Sequence, residues 1–131
     1  MPDASSEPEF GRSLDPGRCL LFVYGQLQPG RHTPRTTGRY RRDRVRGELF
    51  DLGAYAAARK VGNCDTWFSG YVLEIDEHEL VTDLDPFEGV AEGEYRRVRT
   101  ATESELEVWA YDYARPIPKH AIGPIAQWPR E

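Results

Sequence analysis

Glycine and proline interrupt this chain often, 12 and 10 times in 131 residues. Proline removes a backbone donor and glycine weakens helix interiors, so the pattern points to a loop-rich or β-rich body rather than a helical bundle. The length suits a single domain with one core.

Short apolar or alternating runs fall between these breaks. RCLLFVYG (18–25) is a compact apolar run ending at Tyr24-Gly25, as expected of a buried strand that stops at a turn. VRGELFDLG (45–53) and TWFSGYVLEID (66–76) read as further strands, the second with apolar groups on both faces. EYRRVRTAT (94–102) and ELEVWAYDY (105–113) read as a hairpin around Ser104. In its second arm Leu106, Val108 and Ala110 share one face, and Glu107, Trp109, Tyr111 and Tyr113 the other. Aromatic, alternating strands of this length suit a small barrel or strongly twisted sheet.

One helix stands out. Asp76 and Glu79 have capping-box spacing, with Asp in place of Ser or Thr. Leu80, Val81, Leu84 and Phe87 follow the helical period until Pro86, where regular hydrogen bonding should fail. The first 17 residues, rich in Pro, Ser, Gly and acids, read as a disordered or loosely attached arm. Residues 115–131 are punctuated by proline and read as a wrap without regular structure, with Ile117, Ile122, Ile125 and Trp128 able to pack on the core.

Several functions are disfavoured. A formal charge of −5 argues against a dedicated nucleic-acid binder. The six arginines in RTTGRYRRDRVRG (35–47) carry one interleaved tyrosine, as a solvated strand face or loop would. Cys19 and Cys64 make neither a disulfide framework nor a metal-ligand set, and no metal motif appears. His32, His78 and His120 are scattered without a nucleophile partner. No stretch is long enough to span a membrane and no secretory signal is evident, so a soluble cytoplasmic protein is the expectation.

Two segments could carry chemistry. In LDPFEG (84–89), Glu88 would project about 80° around the axis from Leu80, at roughly 100° per residue. That places it on the arc of Val81 and Leu84, where scarce water would raise its pKa and make it a stronger base once ionised. Equally, Glu88 could cap a turn or pair with Arg96, Arg97 or Arg99. In LFVYGQLQPG (21–30), the turn after a buried strand could present consecutive backbone N–H groups to an oxyanion, or could be an ordinary surface loop.

Taken together, YGQL (24–27), GELFDLG (47–53), GYVLEID (70–76), LDPFEG (84–89), YRR (95–97) and WAYDY (109–113) resemble the gamma-glutamylcyclotransferase-like family, over about residues 18–114. The resemblance implies an α+β fold, a small mixed β-barrel flanked by helices, with a pocket at the YGQL loop. It implies that Glu88 is the catalytic acid/base, and that Tyr24, Gly25, Gln26 and Leu27 line the site for a small-molecule gamma-glutamyl substrate. The implied reaction is closure of the substrate's α-amine onto its own γ-carbonyl, releasing 5-oxoproline and a free amine or amino acid. No metal or cofactor is implied, and no nucleic-acid or membrane partner. A non-catalytic small-metabolite binding module on the same fold is the alternative. Gln26 departs from the Thr or Ser usual in the family, and Gln28 from a common basic residue. Tyr95 and Tyr113 are further aromatic candidates for the pocket.

Overall fold

The computed structural model describes residues 14–130, so most of the arm expected over 1–17 lies outside the described residues. Leu14 packs against the core, and the Gly17 carbonyl accepts from the Glu77 amide at 2.8 Å.

The fold is α+β. Its larger sheet has five strands: β1 (Arg18–Val23), β2 (Tyr40–Arg46), β5 (Trp67–Asp76), β6 (Tyr95–Ala101) and β7 (Glu107–Tyr113), in the order β2-β5-β1-β7-β6. β1 and β7 run parallel, and the other pairs antiparallel. A second antiparallel sheet, ordered β4-β3-β8, contains β3 (Glu48–Asp51), β4 (Ala56–Arg59) and β8 (Ile122–Ile125).

The apolar run of β1 makes it the central strand. Cys19, Leu21 and Val23 face one layer with Leu73, Ile75, Leu80 and Leu84. Leu20 and Phe22 face a second with Leu49, Ala58, Phe68 and Val72. Fully burying side chains of this size contributes roughly 1.5–3 kcal/mol each. Gly70 on β5 is required by this closeness. A Cβ there would stand 2.3 Å from the Val23 carbonyl oxygen and 2.8 Å from Phe22 Cζ.

Because β1 and β7 are parallel, their C-terminal ends open at one edge of the sheet. β6 begins at that edge too, since Tyr95 pairs with Tyr113. The loop after β1, the end of β7 and the loop entering β6 therefore meet.

The structure corrects the sequence reading in several places. The two sheets do not close into a barrel, and among the described residues the helical part is a single segment. That segment runs through α1 (Glu77–Glu79), a π-wound stretch (Leu80–Leu84) and α2 (Asp85–Phe87). It ends at Phe87, one residue past Pro86, close to where the proline was expected to interrupt regular hydrogen bonding. The π-winding also turns the face away from ideal periodicity. Leu80 and Leu84 are 1 % and 5 % exposed, whereas Val81 and Phe87 are 55 % and 51 % exposed.

No capping box forms. Asp76 is held by Arg18 at 3.4 Å, and the buried Glu79 carboxylate accepts from the Arg35 and Thr36 amides and the Thr36 hydroxyl. The proline-rich end contains a strand, β8, paired with β3. Beyond it Trp128 is buried, with its indole N–H on Asp51 at 3.0 Å. The arginine-rich segment does form a mostly exposed edge strand, β2.

Candidate active site

At the edge where β1, β6 and β7 meet lies a cavity of about 180 Å³. Tyr24, Gly25, Gln26 and Leu27 line one part of it, and Glu88 another. All five residues singled out from the sequence thus border one space. Tyr95 also lines it, whereas Tyr113 packs edge-on against Tyr95, with ring centroids 5.1 Å apart. Phe22, Val23, Tyr55, Ala56, Phe87, Glu94 and Tyr111 complete the wall.

Glu88 ends α2 as its C-cap, and Gly89 follows in the left-handed region at φ 68°. This reversal ends the helix and sends the chain back towards β6. The arginines that could have paired with Glu88 are engaged elsewhere: Arg96 with Asp112, Arg97 with Asp85 and Arg99 with Glu107. Burial, then the neighbouring Glu94 charge, push the Glu88 carboxyl up to about 7. Such a group exchanges a proton near neutrality.

Glu94 escaped the sequence reading. It is brought back beside Glu88 because Gly89 and Gly93, both left-handed, fold the intervening loop, and its amide donates to the Gly89 carbonyl at 3.0 Å. The two glycines bracketing this loop are the signal that could have found it.

The 24–27 turn offers donors. Its carbonyls are in use: Gly25 accepts from the Gln28 amide and Gln26 from the His32 amide. Among the described residues, the amides of Gly25, Gln26 and Leu27 donate to no protein acceptor. Amides left free beside a cavity are suited to an oxyanion or a carboxylate.

Gln26 spans the cavity's side, its Nε2 donating to the Ala54 carbonyl at 2.7 Å. Gln28 is a buried strut whose Nε2 donates to the carbonyls of Gly25, at 3.1 Å, and Trp128, at 2.8 Å. It ties the loop to the C-terminal segment.

Three tyrosines of the wall have their single protons committed. Tyr24 donates to the Tyr111 carbonyl at 2.6 Å, Tyr95 to the Ala56 carbonyl at 2.7 Å, and Tyr111 to Asp85 Oδ1 at 2.6 Å. Burial raises all three phenols well above their ordinary range. Their oxygens therefore remain acceptors. Among the described residues no Lys, Arg or His lines the cavity. Its inventory is free amides, phenol oxygens and two carboxylates, which fits a ligand carrying an ammonium group and a carbonyl or carboxylate. No cluster of three or more potential metal ligands occurs among the described residues. Nor is any helix among the described residues long and apolar enough to cross a membrane.

Comparison with known proteins agrees with this architecture. The model of the family described as "Gamma-glutamyl cyclotransferase, AIG2-like" matches residues 21–130. No curated protein matches the chain. Among solved structures, an AIG2-like protein from Mus musculus aligns with a TM-score of 0.63 at 18 % identity, over 78 % of this chain and 81 % of that one. An uncharacterized protein from Pyrococcus horikoshii aligns with a TM-score of 0.59 at 16 % identity, over 79 % and 85 %. YkqA from Bacillus subtilis aligns with a TM-score of 0.59 at 23 % identity, over 73 % of this chain and 36 % of that one. These structures share the fold, and the family match spans the strands, the turn at 24–27 and Glu88: the chain belongs to the AIG2-like gamma-glutamyl cyclotransferase family.

Proposed function

We propose that this protein is a gamma-glutamyl cyclotransferase that converts a gamma-glutamyl amide into 5-oxoproline and a free amine or amino acid. The observation that carries the reading is the shared cavity: a sheltered carboxylate, Glu88, and the unoccupied amides of Gly25–Leu27 border the same space.

The chemistry follows from those groups. An α-ammonium cannot attack a carbonyl until it loses a proton, and Glu88, titrating near neutrality, can take it. The freed nitrogen then forms a bond to the carbon of the γ-carbonyl group of the same molecule, and the carbonyl oxygen gains negative charge. Amides at the 24–27 turn stabilise that oxyanion, an effect worth about 3 kcal/mol per well-placed donor. Collapse breaks the bond to the original amide nitrogen, which receives the proton that Glu88 returns; Glu88 then takes the second proton from the ring nitrogen and passes it to the departing amine, which leaves as an ammonium. Nucleophile and electrophile belong to one molecule, so no Ser or Cys nucleophile is needed. Holding the substrate folded supplies part of the rate through orientation. The phenol oxygens of the wall suit the ammonium before it is deprotonated.

The test is release of 5-oxoproline from a panel of gamma-glutamyl compounds by wild-type protein and Glu88→Gln. Wild-type turnover with loss of at least about 100-fold in the variant is expected. Full activity of the variant removes Glu88 from the mechanism. Binding of these compounds without any cyclisation would instead make the protein a small-metabolite binding module.

A further inference from the structure

The turn that carries Glu88 buries little of its own. None of Asp85, Pro86 and Phe87 is buried, and Val81, Thr82 and Asp83 before them are exposed. Leu84 before this stretch and Val90 after it pack on the core, but Asp85, Pro86 and Phe87 between them contribute no buried apolar side chain. A polar cluster takes that place. Arg97 on β6 grips the Asp85 carboxylate in a fork, Nε to Oδ1 at 2.9 Å and Nη2 to Oδ2 at 3.1 Å. Tyr111 on β7 donates to Oδ1 at 2.6 Å. The guanidinium also lies 4.4 Å from the Trp109 ring centroid. With 20 % and 16 % of the side chains exposed, the Arg97–Asp85 pair is largely withdrawn from water and satisfied on several sides. The backbone closes the arrangement: Glu88 donates to the Leu84 carbonyl at 2.9 Å and Val90 to the Asp85 carbonyl at 3.0 Å.

We infer that Arg97 and Tyr111 are positioning residues which, through Asp85, hold the Glu88 carboxylate in register with the cavity wall. Asp85 is the joint between them. Its main chain belongs to the turn that presents Glu88, while its side chain is bound to the two strands that end at the cavity. Tyr111 is itself part of the wall, so the same hydrogen bond sets the distance between base and wall. The inference rests on the cyclotransferase reading for its catalytic consequence, but not for its geometry.

The test follows Glu88 directly. In the full-length protein with ¹³C-labelled glutamate, the Glu88 carboxyl is titrated by NMR without substrate, and kcat and KM are measured separately. Glu94, Tyr24, Tyr95 and Tyr111 are the titratable groups that act on Glu88 or feel its charge. Arg97→Lys leaves every formal charge in place and removes only the fork. We expect it to lower the Glu88 midpoint by about one pH unit, as the carboxylate gains water. We expect kcat to fall on the order of tenfold to a hundredfold with little change in KM. Tyr111→Phe should shift the midpoint in the same direction by less, and Asp85→Asn by at least as much as Arg97→Lys. If Asp85→Asn does not fold, the other two variants decide. A Glu88 midpoint at its wild-type value in folded Arg97→Lys and Tyr111→Phe overturns the inference. A midpoint that moves while wild-type protein makes no 5-oxoproline upholds the positioning role and discards the cyclotransferase.

Discussion

Glu94 faces Glu88 across one short loop. Both line the same cavity, and the Glu94 amide is bonded to the carbonyl of Gly89, the residue after Glu88. A negative charge so placed disfavours the ionised form of Glu88. Burial is the larger cause of the raised Glu88 carboxyl and Glu94 the second. Glu94→Gln should therefore move the acid limb of the kcat/KM profile to lower pH, without restoring an ordinary carboxyl. An acid limb that stays in place would show that the Glu94 charge is screened by water entering the cavity.

Stability should carry the same signature. The folded Glu88 carboxyl titrates near 7 and the ordinary group at 4.5, so the folded state holds its proton more tightly than the unfolded one. The resulting stabilisation is fully present below about pH 4.5 and is lost as pH rises through 7. The gap corresponds to about 3 kcal/mol. Glu88→Gln, which never ionises, should be more stable than wild type above pH 7, by up to that order, with the difference shrinking towards pH 4.5. Urea unfolding at several pH values measures it, and a pH-independent difference would mean that the carboxylate is well solvated.

How much of this was legible beforehand differs by element. β1 was readable as a continuous apolar run, buried on both faces, β5 by a burial pattern that follows its own alternation, and the β6–β7 hairpin by its aromatic, alternating arms. AAAR at β4 was not, since alanine has no strand preference; those positions are small because they pack closely, with Ala57 and Ala58 fully buried. β8 was hidden by prolines, which an edge strand of a three-stranded sheet tolerates. Glu88 was found through LDPFEG, although the supporting face was misjudged, because π-winding exposes Val81. Asp76 and Glu79 matched the capping spacing, but long-range partners outcompeted the local bonds. Glu94 was missed although Gly89 and Gly93 bracket its loop, whereas Gln28 and the Arg97–Asp85–Tyr111 cluster depend on contacts between distant segments, which local pattern does not encode.

Gln26 joins two loops of the rim through its bond to the Ala54 carbonyl. Gln26→Ser removes the reach but leaves the backbone amides of the turn. The expected result is a rise in KM of several-fold, with kcat changed less and melting temperature within a degree or two, because one exposed hydrogen bond is worth about 1 kcal/mol or less. Steady-state kinetics with one gamma-glutamyl amide checks it. A large loss of kcat at constant KM would place the Gln26 side chain at the reacting atoms instead.

Two glycines allow the scaffold and the site to be perturbed separately. At Gly70 an added methyl group meets the Val23 carbonyl oxygen, a backbone atom that cannot withdraw without separating β5 from β1. Gly70→Ala should cost about 3 kcal/mol, the upper end for overpacking. At Gly89 an added methyl group meets Glu94 Oε1 at 2.9 Å, which can rotate away, and Glu94 Cβ at 3.1 Å, which must shift by a few tenths of an ångström, so the main cost of Gly89→Ala is the left-handed backbone, about 1–2 kcal/mol. The rotation, however, moves Glu94 relative to Glu88. Gly89→Ala should thus unfold at higher urea than Gly70→Ala yet show the more altered pH–rate profile. If both variants lose stability equally and keep the wild-type profile, Gly89 serves only to end the helix, and the spacing of the two carboxylates does not depend on it.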